Sequence, residues 1–374
     1  MKIKAALLRQ VGVEGPYAQS RPLTIADIEL DPPGVGEVLV RIRAAGLCHS
    51  DLSVINGDRP RGVPIVLGHE SSGEVVETGA GVTDLKAGDH VAMVFVPSCG
   101  CCNPCMEGRP ALCEPGAVAN TKGTLLGGER RLHIGGEYIN HHTGVSCFAE
   151  YAVVSRRSCV KVNVELSHRE AALFGCAVLT GAGAVINRAR IKMGDTAAIV
   201  GLGGVGLSAL LAAVAAGARR VVAIDLSDEK LALAKELGAT HLVNPKQIKT
   251  DDDLVDLAGG RVDFGFDMAG AVPAFETAYK LTRRGGATVT SGLPNPKFSF
   301  PLSLSQMVGE EREIRGSYLG SGVPAIDISR YIDLYKAGRL PVDRMMGQSF
   351  SLDQINEGFD HLATGGSLRD AIVF

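Results

Sequence analysis

The chain has 374 residues, 45% of them hydrophobic and 21% charged, with a formal net charge of −3 and nine cysteines. That length suggests two domains at roughly 150 residues each. The basic residues form no run, so neither nucleic acid nor an anionic membrane surface is an expected partner.

The opening "MKIKAALLRQVG" carries only a short apolar run before Arg9, too little for a signal peptide, and reads as a first strand. Short alternating runs follow over the first ~175 residues, among them "EVLVRIRAAG", "GEVVETG" and "DHVAMVFV", each bounded by turn residues. They predict a β-rich sandwich or barrel-like domain. From about residue 178 the texture changes to strands alternating with helices. "TAAIVG" and "RVVAIDLS" read as strands, "VGLSALLAAVAAGA" and "DEKLALAKELGA" as helices, the last ending at Gly238. This alternation predicts a doubly wound parallel sheet, so the fold class is α/β. Beyond about residue 320, "IDISRYIDLYKAGRL" and "SLDQINEGFDHLATG" read as helical, and "AIVF" as a closing strand.

Residues 196–218 carry no charge and are long enough to cross a bilayer. Gly201, Gly203, Gly204, Gly206 and Gly217 interrupt them, so a strand, a glycine turn and a buried helix explain the run better, and no membrane partner is expected. The first, second and fourth of these glycines have G-x-G-x-x-G spacing between a predicted strand and a predicted helix. There the first permits a tight turn, the second lets backbone approach a pyrophosphate, and the third packs helix on strand. Asp225 ends the next strand, nineteen residues beyond Gly206. A carboxylate at that place accepts hydrogen bonds from ribose hydroxyls and repels a 2′-phosphate, which favours NAD over NADP.

Five of the nine cysteines fall within "SCGCCNPCMEGRPALC". With no export signal the chain is expected in a reducing cytoplasm, where such a cluster serves a metal or catalysis rather than disulfides. Cys99, Cys102, Cys105 and Cys113 have spacing suited to a structural zinc. A four-iron cluster closes with a shorter last gap and a following proline, whereas Glu114 follows here. Cys101 is a bystander thiol beside Cys102. A second, dispersed set comprises Cys48, His69 and Cys176. Taken one at a time, the cysteine reads as a buried small hydrophobe and the histidine as a satisfied core residue. Two thiolates and an imidazole with one open position are also what a catalytic zinc uses, and alcohol dehydrogenase is the standard instance of that ligand set.

The motifs "CHSD", "GHE", the four-cysteine lobe, "FGCAVLTG", "GLGGVG" and the terminal "INEGFDHLATGGSLRDAIVF" resemble those of the zinc-dependent medium-chain alcohol dehydrogenases, from end to end of the chain. The resemblance implies a GroES-like catalytic domain over residues 1–177, with 321–374 returning to it, and an inserted Rossmann domain over 178–320. It implies two zinc ions per chain: a catalytic one on Cys48, His69 and Cys176, with Glu70 near it, and a structural one on the lobe. Asp51 would orient His69, and Ser50 would pass on the proton of the alcohol. Thr180 and Val205 would touch the nicotinamide, Gly204 would belong to the phosphate turn, and Ser291, Gly292 and Leu293 would follow the cofactor from "TSGLP". Lys230 would flank the adenosine ribose, while His49 and Arg369 would face the pyrophosphate. The implied activity is hydride transfer between an alcohol and NAD, giving an aldehyde or ketone.

The chain departs from this pattern at Ser53, which stands where the best-known members carry a relay histidine. Phe95 and Phe148 match pocket-lining positions, which implies an apolar pocket for aromatic or medium aliphatic alcohols. Arg59 and Arg61 either approach the mouth of that pocket or form a solvated loop. Formaldehyde dehydrogenases that use glutathione carry an arginine shortly after the last lobe cysteine, and "CEPGAVA" has none. A thiol-adduct dehydrogenase of the same group therefore stands as the alternative, with a non-catalytic NAD-binding protein and a thiol redox sensor as readings of other classes. The segment 114–147 matches the long loop of the dimeric branch and implies a homodimer, with His133, His141 and His142 expected on the surface.

Overall fold

The computed structural model describes residues 1–162, 164–365 and 368–374, so Gly366 and Ser367 of the terminal motif lie outside the described residues. The chain divides into two compact units. One takes Met1–Cys176, Val323–Arg330 and Met346–Phe374; the other takes Ala177–Gly322 and Tyr331–Met345. Residues 331–345, expected to return with the rest of the C-terminus, fold instead with the second unit. Their apolar side chains explain this: Leu340, Val342 and Met345 are buried, Met345 Sδ lies 3.6 Å from Ser208 Oγ, and Arg344 pairs with Glu236 at 2.6 Å.

The first unit is β-rich. Strands Lys2–Leu8, Leu23–Leu30, Leu132–Ile134, Glu137–His141 and Ile65–Val66 close into a barrel. A seven-stranded sheet places Glu37–Gly46 at its centre, antiparallel to Ser71–Thr78, Tyr151–Ser155 and Ala371–Val373. Neighbours on both flanks bury nearly all of that central strand, so its alternating pattern is muted. Val40, Ile42, Met93, Phe148 and Phe359 fill one core, while Ile3, Leu7, Ile28 and Ile139 fill a second.

The segment 114–147 is not a loop. It forms helix Glu114–Lys122 and a hairpin of Leu132–Ile134 with Glu137–His141, and this hairpin completes the barrel. Leu132, Ile139 and His141 all point inward and are buried. His141 and His142 are therefore interior residues rather than surface ones, and His133 is half-buried between Glu29 and Asp31.

The second unit carries a six-stranded parallel sheet. Its order is His241–Val243, Arg220–Ile224, Thr196–Val200, Val262–Asp267, Thr282–Thr290, Glu313–Gly316. Counted along this unit, that is the 3-2-1-4-5-6 order of the Rossmann fold, whose ligand crevice opens at the carboxyl ends where the order reverses. The uncharged run 196–218 is the strand Thr196–Val200, a turn and the largely buried helix Gly204–Ala215.

Two histidines of the first unit resist protonation. Burial, followed by Arg130 and Arg131, pushes His141 down to about 3, and its Nε2 accepts the Arg131 N–H at 3.1 Å. Burial, followed by His90 and Arg43, pushes His168 down to about 4, with Nδ1 3.0 Å from Ser72 Oγ. In the unfolded chain both titrate near 6.5. The unfolded state then binds more protons below that pH, so stability falls as pH drops from about 6.5 towards 4. His141→Gln and His168→Asn keep the acceptor atoms without the titration, and each should flatten the decline in urea midpoint between pH 7.5 and pH 5.

Candidate functional site

"CHSD" builds the first part of the site. Cys48 caps the short helix His49–Ile55, and Asp51 lies in its first turn, which turns both side chains into the interior. "GHE" builds the second. Gly68 sits at φ +91°, and a Cβ there would lie 2.8 Å from Cys147 Sγ and from Phe148 N. Only glycine fits both this backbone and this space, and the next two residues, His69 and Glu70, are thereby delivered into the core. The third part is a π-type turn over Phe174–Val178 that carries Cys176. A Cβ on Gly175 would run into the Met93 carbonyl, so the bare glycine lets this turn press onto the strand His90–Met93.

The ligand atoms of Cys48, His69 and Cys176 all lie within 4.8 Å of one another, and His69 Nε2 is 3.5 Å from Cys176 Sγ. Zinc bonds of about 2.3 Å to sulfur and about 2.0 Å to nitrogen place tetrahedral N and S ligands about 3.5 Å apart. The donor set therefore fits a zinc ion, with a fourth position left for a substrate oxygen. Behind it, His69 Nδ1 lies 3.1 Å from Asp51 Oδ1, which also accepts the Gly68 N–H at 3.0 Å. Glu70 does not join the three ligands. Both its oxygens take the fork of Arg369, the Nε–H bond measuring 2.8 Å, and a Cβ on Gly46 would collide with its carboxylate. Arg369 is thus buried on Glu70, whereas His49 is exposed.

The hydrogen bond with Cys176 pulls the Cys48 thiol well below its usual range, helped by Arg369 and His69 and opposed by burial. The same bond, together with burial, pushes Cys176 well up. Burial disfavours charge on His69, yet Asp51 and Cys48 outweigh it and hold its pKa well above the ordinary value. A divalent cation held by these three side chains would take the place of the protons.

The lobe gathers the other four thiols. Sγ atoms of Cys99, Cys102, Cys105 and Cys113 lie within 4.8 Å of one another, with Cys102 and Cys113 at 4.0 Å. Four sulfurs around a zinc are about 3.8 Å apart. Backbone N–H groups of Cys101 and Cys102 donate to Cys99 Sγ, and those of Cys99 and Gly116 donate to Cys113 Sγ. Such donors stabilise thiolate charge. Cys101 is exposed and outside the set.

In the second unit the three motif glycines occupy three different situations. Gly201 has φ +89°, and a Cβ there would meet Ala269 at 2.8 Å. Gly203 has open space where its side chain would be, and a Cβ on Gly206 would collide with the Gly201 carbonyl. Gly204 and Val205 open the helix Gly204–Ala215. A Cβ on Gly181 would strike the Val205 carbonyl, so the bare glycine lets the helix Leu179–Gly183, which carries Thr180, press onto Gly204–Ala215. Asp225 accepts the Leu202 N–H at 2.7 Å and the Ser227 N–H at 2.9 Å, so its carboxylate pins the glycine turn. Lys230 lies in the first turn of the helix that follows. Ser291 N–H donates to the Asp267 carbonyl at 3.0 Å, and Gly292 packs on Gly270, so 291–293 sit at the same carboxyl edge of the sheet.

Two aromatic expectations part company. Phe95 meets the His69 ring edge-on with centroids 5.4 Å apart. Phe148 is fully buried against Phe359, so it is core and lines no pocket: the tight turn at Gly68 holds it under the strands. Sequence reasoning also missed His142, whose ring lies 5.7 Å from that of His69. Burial pushes His142 down to about 4, with Arg61 among the opposing charges, so half-buried Arg61 reaches this end of the unit electrostatically. The inward alternation of Ile139 and His141 was the available signal that "NHH" is interior.

Cys176→Ala should cost one of two zinc ions per chain and abolish alcohol oxidation while NADH still binds. Cys102→Ala should instead lower soluble yield, because a structural zinc contributes folding free energy directly. Zinc content by atomic emission, with NADH fluorescence titration, checks both.

Residues 34–164 match the alcohol dehydrogenase GroES-like domain, and residues 204–337 match the zinc-binding dehydrogenase family. The chain is 37% identical to the NDMA-dependent alcohol dehydrogenase of Amycolatopsis methanolica, covering 100% of this chain and 99% of that one. It is 36% identical to the S-(hydroxymethyl)glutathione dehydrogenase of Synechocystis over 100% of both chains. Among solved structures it is similar to benzyl alcohol dehydrogenase of Acinetobacter calcoaceticus, with a TM-score of 0.91, 30% identity, and coverage of 100% of this chain and 99% of that one. With one buried and one half-buried donor set of zinc geometry and a Rossmann sheet in one chain, it belongs to the zinc-dependent medium-chain alcohol dehydrogenase family.

Proposed function

We propose that this protein oxidises an alcohol to an aldehyde or ketone, with NAD as hydride acceptor, and that it works as a homodimer in the cytoplasm. The observation that carries this reading is the convergence of Cys48, His69 and Cys176, with Asp51 behind the imidazole. Zinc on those ligands supplies Lewis acidity that makes an alcohol proton easier to remove. NAD, held by the Gly201–Gly206 turn and Asp225, supplies the hydride acceptor.

The chain's own residues do the rest. Asp51 keeps the proton of His69 on Nδ1, so that Nε2 presents its lone pair. Half-buried Ser50, two residues beyond Cys48, receives the alcohol proton and passes it outward. Glu70 holds the Arg369 guanidinium in the interior beside the two sulfurs. Phe95 gives the substrate an apolar wall, which suits aromatic or medium-chain alcohols. For the dimer, the support is Phe298, Leu304 and Val308, exposed to 68%, 72% and 77%, close in sequence to the edge strand Glu313–Gly316. Exposed apolar side chains and a strand that ends the sheet among the described residues suit pairing with a second copy.

The test is a panel of benzyl, aliphatic and short-chain alcohols assayed in both directions with NAD and with NADP. Oxidation with NAD of aromatic or medium-chain alcohols is the expected result, and Ser50→Ala should lower kcat/KM by about 10²–10⁴-fold. Formaldehyde with and without glutathione separates the thiol-adduct reading, which a strong dependence on glutathione would establish.

Ser53 Oγ donates to the His49 carbonyl at 2.8 Å, so its proton is committed to the helix backbone. A serine there also cannot store a proton near neutrality. Ser53→His should raise the rate of alcohol oxidation near pH 7, and an unchanged pH–rate profile would show that proton release is not limiting.

A further inference from the structure

Asp51 is completely buried, and its oxygens are unequally served. Oδ1 accepts the Gly68 N–H and faces His69 Nδ1, while Oδ2 lies 3.1 Å from that same nitrogen and accepts no well-aligned hydrogen bond. A buried carboxylate short of donors costs free energy and keeps freedom to turn about its Cβ–Cγ bond. His142 stands next to it. Its Nε2 is 3.3 Å from Asp51 Oδ1, its ring meets that of His69 edge-on, and it is only 4% exposed. Neither of its ring nitrogens makes a well-aligned hydrogen bond. The backbone around it is fixed: His142 N–H donates to Ser146 Oγ at 2.8 Å, and its carbonyl accepts from Val145 N and Ser146 N.

A donor without an acceptor and an acceptor short of donors are thus buried within reach of each other. We propose that His142 is a positioning residue for the catalytic metal centre: its Nε2–H binds the Asp51 carboxylate and fixes the plane in which Asp51 holds the His69 ring. This rests on the reading of Cys48, His69 and Cys176 as the catalytic zinc ligands. The orientation of a ligating imidazole is set by the partner of its other nitrogen, and that partner is in turn only as fixed as its own hydrogen bonds. With Gly68 N–H on one side and an imidazole on another, the carboxylate loses its remaining rotation. Asp51, His69 and His142 are also close enough together to hold a cation. That would require His69 to give both nitrogens to metals and so lose the proton on Nδ1, which a neutral imidazole gives up only as a very weak acid. The hydrogen bond asks for no such step.

The test uses the full chain loaded with zinc and follows release of the metal to a chromophoric chelator. His142→Phe should release the catalytic zinc about 10–100-fold more readily than wild type, while release from the four-cysteine lobe is unchanged. His142→Gln, whose amide nitrogen reaches the Nε2 position, should restore retention. His142→Asn, polar but too short to reach, should behave like the phenylalanine variant and serves where that variant folds poorly. In an Asp51→Asn background, His142→Phe should add no further loss. Wild-type release from His142→Phe and His142→Asn, failure of glutamine to rescue, or effects that multiply with Asp51→Asn would each overturn the proposal. Failure of the underlying reading looks different: Cys176→Ala would then keep both zinc ions, and the proposal would fall with it.

Discussion

The first unit is organised around one electrostatic demand: two thiols, an imidazole and a carboxylate share a buried interior volume. Groups of this kind are expensive to bury unless something of opposite charge holds them together. A divalent cation would meet that demand on one side, and the Arg369–Glu70 pair balances charge on the other. The close approach needed is obtained by leaving side chains out. Gly46 makes room for Glu70, Gly68 for the turn that delivers His69, and Gly175 for the turn that carries Cys176. None of the three could accept even a methyl group without displacing Glu70, the Cys147–Phe148 segment or the Met93 carbonyl, respectively.

The second unit solves a milder problem by related means. Its phosphate turn needs open space at Gly203 and tight packing at Gly206, and Asp225 locks the turn by accepting two backbone N–H groups. A carboxylate already anchored in this way has no conformational search left when a ribose arrives. Preorganisation of that kind reduces the cost of binding without adding contacts.

Much of this could be read from the sequence because the chemistry is local there. The four lobe cysteines lie on one short stretch, and the glycine turn is flanked by a strand and a helix of clear periodicity. Convergence of Cys48, His69 and Cys176 was different, since no local pattern states that residues so far apart in the chain meet; only resemblance supplied it. Misplaced features share a cause, which is tertiary closure. The segment 114–147 looked like an elaborated loop because its strands are short, and only pairing with Leu23–Leu30 and Ile65–Val66 makes them barrel staves. Once they are staves, His141 must be interior, and His142 is carried with it. Phe148 likewise has the composition of a pocket wall, and the turn at Gly68 decides that it is core. Residues 331–345 went to the other unit through the burial of Leu340, Val342 and Met345, which helical periodicity alone does not assign to a partner.

The strand Ala371–Val373 lies between Glu37–Gly46 and Ser349–Phe350, and Arg369 immediately before it holds Glu70. On the ribosome these residues emerge after the whole parallel-sheet unit has been synthesised. Vectorial synthesis therefore lets the nucleotide-binding unit mature while the β-rich unit is still missing its final strand and its interior counter-charge. A nascent chain stalled shortly before Arg369 would display a well-made parallel-sheet unit beside a β-rich unit whose Glu70 still lacks its guanidinium partner.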